Sequence, residues 1–260
     1  MAYKNPSIKL PDRQGDTKKS GASLKTSAKE EYREMSPAYF MFIDVLGFKD
    51  TFESSKNQVK EVFQYFATLI NQMQCLEKDF EHCYAGQTSD SLYFYTDKIE
   101  YLVGFVNVFL HFNMYAMSNN IYFRGGISKG KLNVNKPYQF YGDCVINSFK
   151  LESDIAKFPR IAVDKSTYDD LKECELLWSF DGEDKPGIEN RHYINPFSKI
   201  ILEDIDRYLG IVGACYHKND TKVLKSVGKN LKENVKKYEF SDSTYNKYLY
   251  LLNSYNNFKL

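Results

Sequence analysis

The feature that most constrains the fold is an unbroken apolar run, Ala38–Val45, which contains a single acid, Asp44. A run of strand length in which apolar and polar residues do not alternate is typical of a strand covered on both faces. Such a strand needs packing layers above and below its sheet, so the run predicts an α/β fold. Because Asp44 stands at the end of the run, shortly before Gly47, a carboxylate is expected where a buried strand passes into a loop.

Further elements follow this strand in an alternating order. A helix is expected over Gln58–Phe80, and two β-prone stretches, Phe80–Ala85 and Ser91–Tyr95, form a hairpin with Asp90 in its turn. The remaining elements are a long apolar helix over Ile99–Met117, a strand over Ile121–Ser128, a helix from Gly142 to about Lys157, a strand over Arg160–Val163, a helix over Lys165–Leu171 and a hairpin of Leu176–Phe180 with Arg191–Ile194. This βαββαβ order predicts an α/β (α+β sandwich) fold with a mixed sheet, helices on one face and a C-terminal helical extension.

Composition divides the chain into three regions. Residues 1–36 are polar and Lys-rich, so they bury too little surface to offset ordering entropy and are expected to form a flexible tail. Residues 37–198 form the predicted core domain, and residues 199–260 the helical extension. Within the extension, the Lys-rich stretch Lys222–Lys237 predicts a solvated amphipathic helix.

Charge and cysteine content exclude several classes of function. A formal net charge of +1 gives no overall attraction to nucleic acid. No apolar run is long enough to cross a bilayer, and the polar N-terminus shows no secretory signal, so neither nucleic-acid nor membrane partners are expected. Five Cys without a CxxC motif indicate neither a disulfide framework nor a zinc site. A cytoplasmic location follows.

Asp44 and Asp90 are the candidate metal ligands. Carboxylates on neighbouring strands, together with backbone carbonyls, are the oxygen ligands that Mg²⁺ and Mn²⁺ prefer. Two divalent ions held there clamp phosphate oxygens and activate a hydroxyl for in-line attack. The structural alternative is that each Asp caps a helix or shapes a turn, which is the better interpretation for either residue alone. The pair, with the strand order around it, favours the metal site.

Four segments resemble the class III nucleotidyl cyclases, in the family's order and with similar spacing. They are Phe42-Ile43-Asp44-Val45-Leu46-Gly47-Phe48, Thr88-Ser89-Asp90-Ser91-Leu92, Arg124-Gly125-Gly126-Ile127-Ser128-Lys129-Gly130, and Tyr141-Gly142-Asp143 through Lys150-Leu151-Glu152. The resemblance spans about Tyr39–Asp164 and implies that residues 37–198 form a cyclase catalytic domain. It also implies a homodimer, because family active sites form between two head-to-tail protomers.

The resemblance implies a set of roles. Asp44, Asp90, Asn147 and Lys150 are the catalytic residues; Gly47, Phe48, Gly86, Arg124, Gln139 and Tyr141 bind substrate; Asp44, Asp90 and the backbone of Ile43 and Val45 hold the metals. The metals come from one chain, and the base-reading and transition-state residues come from the other.

Departures from the purine cyclases indicate which base the substrate nucleotide carries. Those enzymes usually have a Lys where this chain has Gly86 and an Asp or small polar residue where it has Gln139. On the following helix, the family's Asn and Arg correspond to Ile146 and Lys150, with Asn147 adjacent to the former. The pattern is most similar to the pyrimidine cyclases of bacterial Pycsar antiphage systems.

That similarity implies conversion of UTP to 3′,5′-cyclic UMP and pyrophosphate with Mn²⁺ or Mg²⁺. The product then acts on a separate cyclic-nucleotide-sensing effector. The alternatives are a cytidylate cyclase that uses CTP, then a purine cyclase, then a catalytically silent nucleotide-binding dimerisation module.

Overall fold

A computed structural model describes residues 32–49, 53, 56–74, 81–174, 177–180, 191–197, 220–239 and 242–258. The predicted tail up to residue 31, the last residues of the helix predicted over Gln58–Phe80 and the loop over residues 181–190 lie outside the described residues. The same holds for residues 198–219, with which the predicted helical extension begins.

The strands form one mixed sheet. Their bounds are β1 Arg33–Val45, β2 Cys83–Thr88, β3 Ser91–Thr96, β4 Phe123–Lys136, β5 Gln139–Gly142, β6 Ile161–Val163, β7 Leu177–Phe180 and β8 Arg191–Ile194. The order across the sheet is β2-β3-β1-β4-β6-β8-β7, and β5 pairs with the far end of β4. Among these strands β4 and β6 pair in parallel, whereas β1 runs antiparallel to both of its neighbours, β3 and β4.

The helices are α1 Lys56–Gln74, α2 Ile99–Ser118, α3 Asp143–Lys150, α4 Lys165–Leu171, α5 Asp220–Lys237 and α6 Asp242–Phe258, with a π-helical turn over Leu151–Ile155 directly after α3. The predicted mixed α/β fold is confirmed, but the helices lie on both faces of the sheet and not on one as predicted, because α3 packs on the face opposite to α1 and α2. Two differences concern length: β1 starts at Arg33, and β4 continues to Lys136, where Pro137 ends it.

The central strand β1 is covered on both faces, as its apolar run predicted. Met41, Ile43 and Val45 point into the main core, which the long helices α1 and α2 cover with aromatic and aliphatic side chains. Phe40 and Phe42 belong to a second apolar cluster on the opposite face. Because side chains alternate along a strand, Asp44 lies on the same face as these two rings.

Close packing of α3 against this second face explains the Gly-Gly sequence in β4. A Cβ at Gly125 would lie 2.2 Å from the backbone oxygen of Phe42, and one at Gly126 would lie 2.2 Å from that of Ser148 in α3. Any larger residue at Gly126 would push α3 away from the sheet. The two glycines therefore set how closely the helix and β1 approach β4.

The C-terminal helices pack on the same unit. Asn230 in α5 donates to the backbone oxygens of Met117 and Ser118 at the end of α2, at 3.2 and 2.8 Å. Leu251 and Tyr255 in α6 join the main core. In the part of the chain that the structure describes, no helix is both long and apolar enough to span a membrane.

Candidate active site

Asp44 lies between two polar partners that the sheet register supplies. It is paired with Ser91 on β3 and with Arg124 on β4. The Ser91 hydroxyl donates to Oδ1 at 3.0 Å, and Nη2 of Arg124 lies 3.4 Å from Oδ2. The carboxylate of Asp44 thus lies at the end of β1, between a hydroxyl donor on one neighbouring strand and a guanidinium on the other.

Asp90 is brought next to Asp44 by a tight hairpin. Thr88 pairs with Ser91, so Ser89 and Asp90 alone make the turn between β2 and β3. Ser89 adopts a positive φ of 54°, as such turns require, and its backbone oxygen accepts from Nε2 of Gln87 at 2.9 Å. Burial raises the pKa of Asp44, and the charge of Asp90 raises it further, against the lowering effects of Ser91 and Arg124. The two carboxylates are therefore close enough for the charge of Asp90 to act on Asp44.

Arg124 connects this pair to a third acid. Its Nε lies 2.7 Å from Oε1 of Glu152, which is 7% exposed and stands on the π-helical turn after α3. Burial raises the pKa of Glu152, as does the charge of Asp44, whereas Arg124 lowers it. One guanidinium thus serves two carboxylates, Asp44 and Glu152, in a partly buried setting.

The residues at this edge fit a divalent cation. Two adjacent carboxylates in a half-buried site repel each other, and a cation relieves that repulsion. Arg124 contacts one oxygen of Asp44 only at 3.4 Å and keeps Glu152 as a closer partner, so Asp44 can turn to a metal without leaving the guanidinium unpaired. No cluster of three or more His, Cys, Asp or Glu side chains suited to a metal occurs among the described residues. Waters, phosphate oxygens and backbone carbonyls would complete the ligand set, as is usual for Mg²⁺.

The chain turns shortly after Asp44, at Leu46 and Gly47. Gly47 has a φ of +71°, the left-handed region that favours glycine, and no atom lies within 4 Å of where its Cβ would stand. The amide of Leu46 donates to the backbone oxygen of Tyr122 at 2.8 Å, which fixes the start of the loop. Ile43 and Val45 flank Asp44 within the paired part of β1, and Phe48 is helical, directly after the turn at Leu46 and Gly47.

The predicted base-reading residues lie apart from the acids, around β2, β3 and β5. The ring of Tyr93 covers Gly86 so closely that a Cβ there would lie 2.4 Å from the Tyr93 ring. Phe140 in β5 packs on Tyr93 with ring centroids 5.0 Å apart, which brings the Gln139 segment toward Gly86. Oε1 of Gln139 accepts from Nδ2 of Asn135 at 3.1 Å.

The other predicted side chains are exposed. Tyr141 is 56% exposed and meets the ring of Tyr32 edge-on. Asn147 and Lys150 stand on the outward face of α3. The structure thus brings Asp44, Asp90 and Arg124 together, and it leaves Asn147 and Lys150 directed to solvent in the single chain.

Sequence reasoning did not assign three residues that shape these sites. Ser91 holds Asp44, Glu152 holds Arg124, and Tyr93 covers Gly86. The position of Ser91 could have been predicted, because it is the first residue after the two-residue turn that contains Asp90 and therefore begins β3. Its pairing with Asp44 then follows once β3 lies beside β1. Glu152 and Tyr93 depend on how α3 and the β2–β3 hairpin pack, which no local pattern contains.

No known family profile and no curated protein sequence matches the chain. Solved structures similar to it include class III adenylyl and guanylyl cyclase domains. One is the catalytic core of a rhodopsin-guanylyl cyclase with converted specificity in complex with ATPαS, at 19% identity over 63% of this chain and 98% of that chain, with a TM-score of 0.46. Another is the guanylate cyclase domain from Catenaria anguillulae in complex with GTP, at 14% identity over 62% and 97%, TM-score 0.46. A third is an adenylyl cyclase from P. aeruginosa, at 13% identity over 63% and 95%, TM-score 0.44. At these identities and TM-scores the similarity gives no argument about function, which has to be argued from this chain's own residues.

Proposed function

We propose that this protein is a nucleotidyl cyclase of the class III type, which closes a nucleoside triphosphate to its 3′,5′-cyclic monophosphate and releases pyrophosphate. The observation that carries the proposal is the Asp44–Asp90 carboxylate pair at the end of the buried strand β1, with Arg124 directly beside it. Two carboxylates, a guanidinium and a glycine-containing turn at one edge of the sheet are groups that suit phosphoryl transfer to a ribose hydroxyl.

Asp44 and Asp90, with the backbone of Ile43 and Val45, would hold two Mn²⁺ or Mg²⁺ ions. Those ions, when bound, lower the pKa of the attacking 3′-hydroxyl and neutralise charge on the phosphates. The residues of the chain contribute by positioning charged groups and backbone around the phosphates. Glu152 fixes the Arg124 guanidinium near the acids, where it can pair with phosphate oxygens, and the space beside the Cα of Gly47 lets the triphosphate approach closely.

UTP is the proposed substrate. Gly86 has no side chain with which to read a purine. The ring of Tyr93 fills the space above it, which favours a smaller base. Since Oε1 of Gln139 already accepts from Asn135, its amide nitrogen is the group left to donate to a base edge. The 4-position of uracil is an acceptor and that of cytosine is a donor, so this orientation favours UTP over CTP.

A homodimer completes the proposed site. Bulky side chains stand exposed around β5 and α3, including Tyr138 at 63%, Ile146 at 55% and Phe149 at 42%. Clustered exposed apolar side chains mark an association surface. The exposed Asn147 and Lys150 lie on the same helix, so a second copy seated there would receive them at its own acidic pair.

The biological role proposed with this activity is antiphage defence, with cyclic UMP as a messenger for a separate effector. A cytidylate cyclase is the first alternative, followed by a purine cyclase. A silent dimerisation module is disfavoured because both acids are present and Arg124 is positioned beside them.

The test is incubation of the purified protein with Mn²⁺ and each of ATP, GTP, CTP and UTP, followed by mass analysis of the products. We expect cyclic UMP, and its loss in Asp44→Asn and Asp90→Asn. Asp169→Asn is the matched control, because this acid is exposed on α4 and pairs with its helix neighbour Lys165. Cyclic CMP, AMP or GMP as the main product would reassign the base, and no product from any nucleotide would reject the cyclase proposal.

A further inference from the structure

The last helix crosses the end of the sheet that carries the acids. In α6, the Tyr248 ring meets Tyr122 at a centroid distance of 5.1 Å, and Tyr250 stacks on Phe158 at 5.6 Å. Tyr122 directly precedes β4, and Phe158 leads into β6. These two strands are parallel to each other and enter the sheet at the end where β1 leaves it. The helix is therefore anchored beside both Arg124 and the loop that follows Asp44.

A buried arginine strengthens this anchorage. Arg160 is 4% exposed, its guanidinium lies 3.8 Å from the centre of the Tyr193 ring and 5.4 Å from that of Tyr250, and Nη2 donates to the backbone oxygen of Ile155 at 3.0 Å. Ile155 ends the π-helical turn that holds Glu152. The contacts of Tyr250 thus tie α6 to the same segment that positions Arg124.

Lys247 directly precedes Tyr248 and lies one helical turn before Tyr250, so it stands on the side of α6 that packs against the residues leading into β4 and β6, beside Arg124. Its side chain is half-buried, and burial, followed by the positive charge of Arg124, lowers the pKa of its ammonium group. Among the residues that the structure describes, no carboxylate forms an ion pair with Lys247. The acids of the neighbourhood, Asp44 and Glu152, are engaged with Arg124 instead.

Arg124 already has two carboxylate partners, whereas the half-buried ammonium group of Lys247 has none among the described residues, so an anion bound beside it would be favourable. A lysine ammonium is a compact charge that suits phosphate oxygens, and the long side chain reaches past its helix. We propose that Lys247 is a triphosphate-binding residue supplied by the C-terminal helix of the same chain, which acts beside Arg124 on the phosphate tail of the nucleotide. This inference rests on the proposed cyclase function. It makes α6 part of the substrate site, a role that no sequence motif assigns to it.

The test measures binding of inorganic triphosphate to the full chain in the presence of Mg²⁺, so that no turnover is needed. Lys247→Gln is expected to raise the Kd about tenfold, and Lys247→Arg, which keeps the charge, to remain within about threefold of the wild type. Lys232→Gln is the matched control, because Lys232 lies on the exposed face of α5. Its Kd should equal that of the wild type.

Amine labelling of the unmodified protein gives a second readout that does not depend on folding of a variant. With a limiting acylating reagent, triphosphate should protect Lys247 at least about fivefold and leave Lys232 unprotected. If triphosphate binds the wild type but Lys247→Gln binds it equally well, or Lys247 stays unprotected, the inference is wrong while the cyclase proposal stands. If the wild type binds no triphosphate at all, the cyclase proposal falls and the inference with it.

Discussion

At the scale of single residues, the site depends on how Arg124 is shared. Its guanidinium lies 2.7 Å from Glu152 and 3.4 Å from Asp44, so the pair with Glu152 is the closer one. Glu152 therefore keeps Arg124 from closing fully on Asp44, which in the proposed function uses its oxygens to bind metal ions. In this arrangement Glu152 is a positioning residue, because it acts through Arg124.

Replacement of Glu152 by Gln tests this role. Without the Glu152 charge, Arg124 has Asp44 as its only carboxylate partner here, and the metal ions must compete with it. We expect the Mn²⁺ concentration for half-maximal activity to rise about tenfold, which corresponds to about 1.4 kcal/mol, with kcat at saturating metal changed less. Titration of activity against Mn²⁺ measures both, and Glu173→Gln, at an exposed position after α4, serves as the control. An unchanged metal requirement would contradict the positioning role.

The acids themselves were predictable from sequence, and their partners were not. Asp44 stands at the end of a run typical of a buried strand, and Asp90 occupies a turn between two β-prone stretches, so local pattern places both. The contact from Glu152 to Arg124 joins residues 28 positions apart, across the face between the π-helical turn and β4. Such a contact depends on packing distance, which hydrophobic periodicity does not encode.

At the scale of elements, the close approach of α3 to β4 determines whether Glu152 reaches Arg124. The approach is possible because Gly126 has no side chain, so the backbone of Ser148 lies where a Cβ would stand. Sequence reasoning predicted one helix from Gly142 to about Lys157. The structure has α3 up to Lys150 and then a π-helical turn to Ile155. The π-helical turn contains the buried Glu152, and local sequence could not reveal it because an i→i+5 turn has no distinct apolar spacing.

Gly126→Ala should therefore destabilise the protein. The added methyl group meets backbone that cannot move without displacing α3, and we expect a loss of about 2–4 kcal/mol in the free energy of unfolding. Urea denaturation measures it. Gly104→Ala in α2 is the matched control, since nothing lies within 4 Å of its Cβ position and alanine favours a helix, so this variant should gain up to about 1 kcal/mol. Equal stabilities of the two variants would show that α3 yields easily.

At the scale of the whole molecule, stability should fall in mild acid because of a buried histidine. His111 in α2 is 6% exposed, and burial lowers its pKa below the usual 6.5. In the unfolded chain His111 takes up a proton near pH 6.5, whereas the folded protein does not, so stability is lost as the pH falls below that value. The slope attributable to one such group is at most about 1.4 kcal/mol per pH unit.

The histidine effect is measured as a difference between two denaturation series from pH 7 to pH 5. His111→Gln removes the titrating group and should show a shallower dependence than the wild type, whatever its absolute stability. His192, which is also buried with a lowered pKa, remains in both proteins and cancels. Parallel curves for the two proteins would assign the acid sensitivity to other groups.

The proposed dimer makes the most specific prediction about the molecule as a whole. In that proposal Asp44 and Asp90 act from one chain, while Lys150, which is exposed on α3, acts at the site of the other. Asp44→Ala and Lys150→Ala should each be inactive as homodimers. A mixed dimer of the two has one site with both lesions and one site with none, so co-expressed variants should recover activity. With random pairing, half of the dimers are mixed and about a quarter of the wild-type sites are restored.

The control for this complementation is a mixture of Asp44→Ala with Asp90→Ala. Both lesions fall in the half of the site that a single chain supplies, so every site in the mixed dimer is damaged and no activity should return. Size-exclusion chromatography and differently tagged chains show whether mixed dimers form in each case. Mixed dimers of Asp44→Ala with Lys150→Ala that form but stay inactive would mean that Lys150 does not act across the interface. Activity in the control mixture would mean that the acidic pair is itself divided between chains.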